Sequence, residues 1–196
     1  SAGARSVVFL PADGEGWLAQ QLAGSDVSIE YYRLDSPLSP ACARSLAAAF
    51  RRHGVSVAHS HELSMAVHGA WSSWLAGVPH VITMHGGRYY AERLRRRLAL
   101  GAAIAFSARA VAVSNQLADD LSDDVQVPRS RIAMILNGVR HKPVERPTLR
   151  NELGLEPGDS LIVSVGNLYP VKGHSYLIDA VASLSRSRPQ LHVAIG

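Results

Sequence analysis

The sequence has little cysteine, little charge and no long apolar run, and each shortage excludes a class of protein. Cys42 is the one cysteine in 196 residues, so no internal disulfide can form and no second thiol can share a metal ion. This favours a reducing compartment, and we predict a cytoplasmic protein. The apolar run at residues 98–108 spans eleven positions, whereas a membrane-spanning helix needs about 20. We therefore predict no transmembrane segment.

Aromatic residues and metal-binding motifs are also scarce. Only 6% of the residues are aromatic, and no recognition-helix or RNA-binding signature is present, so we predict no nucleic-acid partner. The segment HELSM at residues 61–65 lacks the second histidine of HExxH, and the chain has no Asp-x-Asp pair. We predict no metal site and no cofactor.

What the sequence does contain is enough apolar material for a core and one basic cluster. Hydrophobic residues make up 47% of the chain, the net charge is +4, and much of the excess lies in RYYAERLRRRL at residues 88–98. This cluster is either a solvated helix face or an interfacial helix that contacts an anionic lipid or lipid-linked acceptor. In the second case its apolar side would be Tyr89, Tyr90 and Leu94, and its cations would be Arg93, Arg95, Arg96 and Arg97.

Short β-branched runs alternate with helical segments through the first two thirds of the chain. This rhythm is typical of βαβ units, so we predict an α/β fold with a Rossmann-like parallel sheet and helices on both faces. The predicted strands lie at residues 5–10, 27–34, 55–61, 80–85, 108–114 and 131–136, and the predicted helices at about 16–23, 40–53, 64–77, 88–98 and 115–122.

The apolar periodicity lapses from residue 137 to 157, which indicates an interdomain connection. We predict a first domain at 1–141, a linker at 142–158 and a second unit at 159–196. That unit has one strand, one helix and one more strand, which cannot bury both faces of their own sheet. We therefore expect the second domain to be incomplete and the chain to be part of a longer protein.

The most informative segment is SLIVSVGNLYPVKGHSYLIDAV, residues 160–181. An apolar strand leads to a turn that contains Gly166, then to Lys172, and a helix opens at Gly173. Free amide groups and the helix dipole converge at such a helix start, where a lysine adds positive charge. The segment predicts a phosphate-binding turn, although Lys172 could also be a solvated side chain.

Four segments together resemble the retaining, nucleotide-sugar-dependent glycosyltransferases of family 4, which have the GT-B fold. The resemblance covers nearly the whole chain, and it implies two Rossmann-like domains, the first binding the acceptor and the second the nucleotide-sugar donor. No cofactor is implied besides the donor as co-substrate. The segments are VAHSH at 57–61, AGVPHVITMHGG at 76–87, AVSNQLADDL to ILNGV at 112–139, and VSVGNLYPVKGHSYLIDAV at 163–181.

The resemblance implies a donor site around the turn in the second unit. Lys172 would neutralise the diphosphate of the leaving nucleotide, helped by amides near Gly166 and Gly173. Asn167 stands where relatives commonly have an arginine, so it offers only a neutral hydrogen bond. Gly14 and Gly16 would approach the donor phosphates from the first strand-to-helix turn, or be ordinary turn glycines.

The resemblance also implies cleft residues in the first domain. His85 would contact the donor sugar near the transfer point, so we predict it as the catalytic residue, with a structural histidine as the alternative. Gly86 and Gly87 would keep the cleft open for the acceptor, and the turn formed by Asn137 and Gly138 would line it.

Four further side chains are predicted from their spacing. We expect His59 and His61 to face opposite sides of one strand, so that at most one, His61, lines the acceptor pocket. Trp71 and Trp74 share a helical face and are expected to pack in the core or against another domain rather than stack on a sugar.

The function that these interpretations predict is transfer of a sugar, with retention, from a nucleoside diphosphate sugar to a hydroxyl acceptor that is lipid-linked or a polysaccharide. This would serve cell-envelope polysaccharide or glycolipid synthesis, without a metal, at the cytoplasmic face of the membrane. The alternatives are a GT-B nucleotide-sugar epimerase and a non-catalytic sugar-nucleotide binding fragment. We expect residues 1–196 to be inactive in isolation.

Overall fold

The computed structural model describes residues 5–12, 16–139 and 148–196 of the chain. Strands and helices alternate, and every strand pair is parallel. The predicted α/β class is therefore confirmed.

The chain divides into two compact units, Ser1–Gly138 and Val139–Gly196. The domain limits 1–141 and 159–196, with their acceptor and donor roles, stay a prediction. Within the predicted linker, 142–158, residues 142–147 lie outside the described residues.

The elements of the first unit follow the predicted order with small shifts at their ends. Its strands are β1 (Val7–Pro11), β2 (Ser28–Tyr32), β3 (Ala58–His61), β4 (His80–Met84), β5 (Arg109–Ala112) and β6 (Ile132–Met134). Its helices are α1 (Trp17–Leu22), α2 (Pro40–Arg52), α3 (Glu62–Ala76), α4 (Leu94–Phe106) and α5 (Asn115–Val125), with short 3-10 helices at Arg88–Tyr90 and Arg129–Arg131.

The strands of the first unit form two sheets rather than one. β3, β4, β5 and β6 pair in that order, whereas β1 pairs only with β2 among the described strands. A cavity of about 780 Å³ is lined by residues of β1 and β3 together with apolar side chains such as Phe50 and Met65. The carboxyl ends of β3 and β4 therefore belong to a sheet that does not hydrogen-bond to β1.

The main core lies around the four-stranded sheet and α3, α4 and α5. Ile82, Met84, Leu100, Ile104 and Leu121 are fully buried in it. A smaller core packs Cys42, Leu46 and Phe50 of α2 against Ala58 of β3. β4 thus rests on the main core, whereas β3 packs against the smaller core and lines the cavity.

The prediction of a basic helix at 88–98 is wrong in its limits. A 3-10 helix covers Arg88–Tyr90, and the α-helix begins at Leu94 and continues through the apolar run to Phe106. Leu100 and Ile104 are fully buried, so the apolar run rather than the arginine run forms most of this helix.

The aromatic predictions differ in outcome. Trp74 is 66% exposed, so it does not pack in the core, and its packing against another domain stays a prediction, whereas Trp71 is half-buried. Tyr90 is fully buried and therefore cannot belong to an interfacial apolar side. Tyr89 and Leu94 remain exposed.

The second unit is small. It contains α6 (Leu149–Glu152), β7 (Ser160–Ser164), a 3-10 helix at Pro170–Lys172, α7 (His174–Leu184) and β8 (Leu191–Ile195). β7 and β8 pair in parallel, and among the described residues of this unit only His174 is buried. Large apolar side chains lie open to solvent, including Val165, Leu168 and Val171.

Within the described ranges no helix is long and apolar enough to cross a bilayer.

Candidate active site

The turn between β7 and α7 has the geometry that its sequence predicts. The chain leaves β7, passes Gly166, forms the 3-10 helix Pro170–Lys172 and enters α7 through Gly173. Gly173 has a φ of 71°, a left-handed conformation that favours glycine. We call residues 166–173 the glycine–lysine turn.

The side chain of His174 stabilises this turn through hydrogen bonds to Gly166 and Ser164. Its Nε2 lies 3.2 Å from the carbonyl oxygen of Gly166, and its Nδ1 lies 3.2 Å from Oγ of Ser164. Because a carbonyl only accepts, Nε2 is the donor and Nδ1 accepts from the Ser164 hydroxyl. His174 therefore ties the first residue of α7 to the end of β7. The sequence analysis missed this role, although a polar residue directly after Gly173 that opens an apolar helix was a signal for it.

Lys172 and Asn167 lie on the outside of the turn and are exposed. A Cβ added at Gly166 would lie 3.7 Å from Cγ and Cδ of Lys172, so the lysine stem passes over the glycine. The side chain of Lys172 has no hydrogen bond or ion pair within the described part of the chain. Its ammonium group is thus available to an anion.

The carboxyl ends of β3 and β4 carry a cluster of three histidines, His59, His61 and His85, which we call the histidine cluster. Nδ1 of His61 lies 2.8 Å from Nε2 of His85. The two rings are 5.0 Å apart at an angle of 18°. Since 2.8 Å of that separation is the hydrogen bond itself, the rings meet edge to edge and nearly coplanar.

His59 lies on the same side of β3 as His61, so the predicted opposite orientation is wrong. Their ring centres are 4.4 Å apart, and Nε2 of His59 is 2.8 Å from the hydroxyl of Thr83. The reason is the period of a strand: side chains two residues apart share a face. Burial, followed by the neighbouring histidines, lowers the pKa of His61, and burial together with His85 lowers that of His59, which favours neutral rings.

Glu62 adds a second tie to His85. It has a φ of 62°, which is rare for a residue with a side chain, and it starts α3. Its Oε1 accepts a hydrogen bond from the backbone N–H of His85 at 2.9 Å. Sequence analysis missed Glu62 because nothing in HELSM signals a left-handed residue.

The remaining predicted cleft residues differ in their surroundings. Gly86 and Gly87 follow His85 with φ values of 132° and 73°, so both positions favour glycine. Gly16 caps α1, and a Cβ there would meet nothing within 4 Å. Gly14 lies outside the described residues.

Asn137 and Gly138 do not form the predicted turn. Both are exposed in irregular backbone beyond the end of β6. Gly138 has no positive φ, and a Cβ there would meet nothing. Their backbone therefore does not depend on an Asn-Gly turn.

A buried polar chain supports the histidine cluster from the opposite face of β3. His80 is 2% exposed, and its Nδ1 and Nε2 lie 2.7 Å and 2.9 Å from the hydroxyls of Ser107 and Ser60. Ser107 donates to the carbonyl of Ala103, so it accepts from Nδ1 of His80, and Nε2 accepts from Ser60. Burial, with a smaller contribution from His59, lowers the pKa of His80 to about 4, so the ring is neutral.

The arginines predicted as a cluster have separate contacts. Arg96 donates to the carbonyl of Tyr89 and to Glu92, and Arg97 donates to the carbonyl of Asp124. Arg93 and Arg95 are exposed. Only these two remain available to an anionic surface.

No metal centre is assembled by these groups. Across residues 5–12, 16–139 and 148–196, no group of three or more His, Cys, Asp or Glu side chains is arranged to hold a metal ion.

Comparison with known proteins decides the family. The model of Glycosyltransferase Family 4 matches residues 1–142. The chain belongs to this family. The match covers β1 to β6 and thus the histidine cluster, and it confirms the resemblance drawn from the sequence.

Relatives named D-inositol 3-phosphate glycosyltransferase are similar to part of the chain. The protein of Segniliparus rotundus is 29% identical over 124 residues, which cover 62% of this chain and 27% of the relative. That of Nocardia farcinica is 33% identical over 101 residues, covering 50% and 22%. The chain matches about a quarter of the length of these curated relatives.

Solved structures share the fold over nearly the whole chain. HepE of Anabaena in complex with UDP and glucose has a TM-score of 0.76 at 18% identity, covering 98% of this chain and 60% of that one. A glycosyltransferase of Rickettsia africae has a TM-score of 0.64 at 18% identity, covering 94% and 58%. The family 4 chain therefore has a fold of the GT-B type.

Proposed function

We propose that this protein is a retaining glycosyltransferase that moves a sugar from a nucleoside diphosphate sugar to a hydroxyl of its acceptor. The observation that carries the proposal is the glycine–lysine turn, in which His174 fixes Gly166 while the ammonium group of Lys172 stays open to an anion. The family of the chain and the UDP-sugar complexes of HepE support the same ligand class.

The chemistry needs stabilisation of a diphosphate that gains negative charge as it leaves. Lys172 supplies a full positive charge, and the amides at the start of α7 supply the positive end of the helix dipole. Gly166 and Gly173 let the backbone come close to phosphate oxygens, and Asn167 offers a neutral hydrogen bond. Gly14 and Gly16 are proposed to contribute further backbone contacts to the same phosphates.

The sugar end of the donor is assigned to the histidine cluster. His85 is exposed, its Nδ1 has no hydrogen-bond partner among the described residues, and Gly86 and Gly87 add no side chain beside it. A neutral imidazole at this position can hydrogen-bond a sugar hydroxyl. We assign His61, Asn137 and Gly138 to the acceptor side of the site. The attacking nucleophile is then the acceptor hydroxyl, and the protein supplies none.

The donor assignment is tested by calorimetric titration of the full-length polypeptide, with residues 1–196 alongside, against UDP, GDP and ADP. UDP is the expected ligand because HepE binds it. Lys172→Ala is expected to weaken binding about 10- to 100-fold, as for loss of a charge-assisted hydrogen bond. Arg186→Ala removes another exposed cation of the second unit and is the matched control.

Transfer itself is tested with the nucleotide sugar that binds. D-inositol 3-phosphate is the first acceptor to supply, because the curated relatives are named for it, followed by lipid-linked saccharides. Proton NMR of the product gives the anomeric configuration, and an unchanged one supports retention. Free nucleotide with a rearranged sugar in the absence of acceptor would instead indicate an epimerase.

Contact with the cytoplasmic membrane surface is part of the proposal, and it rests on a smaller patch than the sequence predicts. Arg93 and Arg95 are exposed beside Leu94 and Leu98, which are 67% and 65% exposed. Cosedimentation with phosphatidylglycerol vesicles tests it. Binding is expected to fall in Arg95→Gln and not in Arg186→Gln, and equal binding to phosphatidylcholine vesicles would contradict it.

A further inference from the structure

We propose that His61 and Glu62 are positioning residues that hold the imidazole of His85 in one orientation. This rests on the proposed role of His85 at the donor sugar, and it gives Glu62 a role and gives His61 a second role beside its place on the acceptor side.

The first argument is the geometry of the His61–His85 pair. A single proton lies between Nδ1 of His61 and Nε2 of His85, which are 2.8 Å apart, so one ring donates and the other accepts. Whichever ring donates, the hydrogen bond fixes which edge of the His85 ring faces His61. With Nε2 of His85 engaged, Nδ1 is the ring nitrogen left for a ligand.

The second argument is the backbone. His85 lies directly after β4 and before two glycines with positive φ, a segment with little intrinsic stiffness. The carboxylate of Glu62 accepts the N–H of His85 at 2.9 Å and so fixes the main chain from which the ring projects. Glu62 itself is in a left-handed conformation, and such strain persists only where surrounding contacts hold it.

The third argument is sequence proximity. His61 and Glu62 are neighbours at the point where β3 becomes α3, and they contact the same residue, His85, through its ring and its backbone. One local conformation therefore sets both ties. A sugar hydroxyl needs a hydrogen bond of defined direction, and two ties to His85 provide it before the ligand arrives.

The ligand-free test is proton–nitrogen correlation NMR of the histidine side chains of residues 1–196, with His85 identified by its loss in His85→Ala. The wild-type His85 ring is expected to show a hydrogen-bonded Nε2. His61→Ala is expected to shift the Nε2 resonance to that of an imidazole nitrogen without this hydrogen bond. His61→Asn places an amide near the Nδ1 position and is expected to restore the hydrogen bond, whereas His61→Gln, which places it near Nε2, is not.

Glu62 is tested in the same way with variants that separate strain from hydrogen bonding. Glu62→Gln keeps an accepting oxygen and is expected to resemble the wild type. Glu62→Gly removes the acceptor without backbone strain and is expected to broaden the His85 resonances. If Glu62→Gly leaves the His85 spectrum unchanged, Glu62 does not position it.

Binding supplies the functional readout. In the full-length polypeptide, His61→Ala is expected to weaken binding of UDP-glucose about 5-fold, as for one lost hydrogen bond, with unchanged affinity for UDP and an unchanged unfolding temperature. His61→Asn should restore UDP-glucose binding. Equal losses for UDP and UDP-glucose, or no rescue by asparagine, would overturn the proposal.

The two proposals can fail separately. Absence of UDP binding in the wild type would contradict the donor assignment. The NMR experiment would still decide whether His61 and Glu62 hold His85. A His85 Nε2 resonance that is unchanged in His61→Ala would overturn the positioning role of His61, whatever the nucleotide titrations show.

Discussion

The histidine cluster and the glycine–lysine turn prepare their polar groups in different ways. His85 is held by a ring hydrogen bond to His61 and a backbone hydrogen bond to Glu62, and it directly follows Met84 of the main core. Lys172 has no such tie, and only the backbone beneath it is held, by His174. The difference fits the ligands proposed for them: neutral hydroxyls need directed hydrogen bonds, whereas an ammonium group acts on phosphate as a point charge.

The largest effect is expected from adding a side chain at Gly69, which packs against Ser60 on the face of β3 opposite the histidine cluster. In Gly69→Ala the new Cβ would lie 2.0 Å from Oγ of Ser60 and 2.6 Å from Nε2 of His80, so the buried hydrogen bond between them must break. We expect a loss of about 3 kcal/mol in the free energy of unfolding, at the upper end for overpacking, measured by urea denaturation.

Gly138→Ala is the control for this change, since its Cβ would meet nothing within 4 Å. It should leave the urea midpoint unchanged. A loss below about 1 kcal/mol in Gly69→Ala, within the range of ordinary substitutions, would show that the packing under β3 is looser than the structure indicates.

The pH dependence of stability should come next in size, and His80, which hydrogen-bonds Ser60 on the face of β3 opposite the histidine cluster, contributes to it. His80 has a pKa of about 4 in the folded protein against about 6.5 when unfolded. The unfolded chain therefore binds more protons between these values, so this contribution is complete above pH 6.5 and is lost as the pH falls towards 4. The loss amounts to at most about 3 kcal/mol.

The measurement for His80 is the free energy of unfolding at pH 7 and at pH 4.5 in the wild type and in His80→Gln. The variant should lose less stability on acidification than the wild type. Identical pH slopes would contradict the assignment of a neutral buried ring.

A smaller effect is expected from the support of the glycine–lysine turn. His174→Ala removes the hydrogen bonds to Gly166 and Ser164 and should weaken UDP binding about 5- to 10-fold, since the loop loses its fixed shape. His174→Gln can donate to the same carbonyl and should recover most of the affinity in a calorimetric titration. No rescue by glutamine would mean that packing, not hydrogen bonding, is what His174 provides.

The smallest effect is expected at Tyr89, beside the histidine cluster. Its hydroxyl accepts the backbone N–H of Leu63 at 3.3 Å, a long hydrogen bond. Tyr89→Phe should reduce the free energy of unfolding by about 0.5 kcal/mol. Tyr31→Phe, at an exposed tyrosine, is the control and should have no effect, so equal losses would remove Tyr89 from the support of this region.

Much of the fold could be predicted from the sequence because local signals and burial agree. The apolar strands are visible in the chain, and the order of strand, glycine, lysine and helix predicts the turn at 166–173. The predicted basic helix is misplaced because the arginines are visible in the sequence, whereas the burial of Leu100 and Ile104 is visible only in the structure.

The details of the histidine cluster could not be predicted. The left-handed backbone of Glu62 has no sequence signal of its own, and the His61–His85 hydrogen bond joins residues 24 positions apart. His59 and His61 were assigned to opposite faces against the period of a strand, which concealed the cluster. His174 was missed because its partner is a backbone carbonyl, which any sequence provides.

The central claim is that Lys172 binds the diphosphate and His85 the sugar of one donor. It is tested most directly by titrating UDP and UDP-glucose into the full-length polypeptide and its Lys172→Ala and His85→Ala variants. The account predicts that Lys172→Ala weakens both ligands about 10- to 100-fold, whereas His85→Ala weakens only UDP-glucose, about 5-fold. Unchanged UDP affinity in Lys172→Ala, or equal losses for the two ligands in His85→Ala, would contradict it.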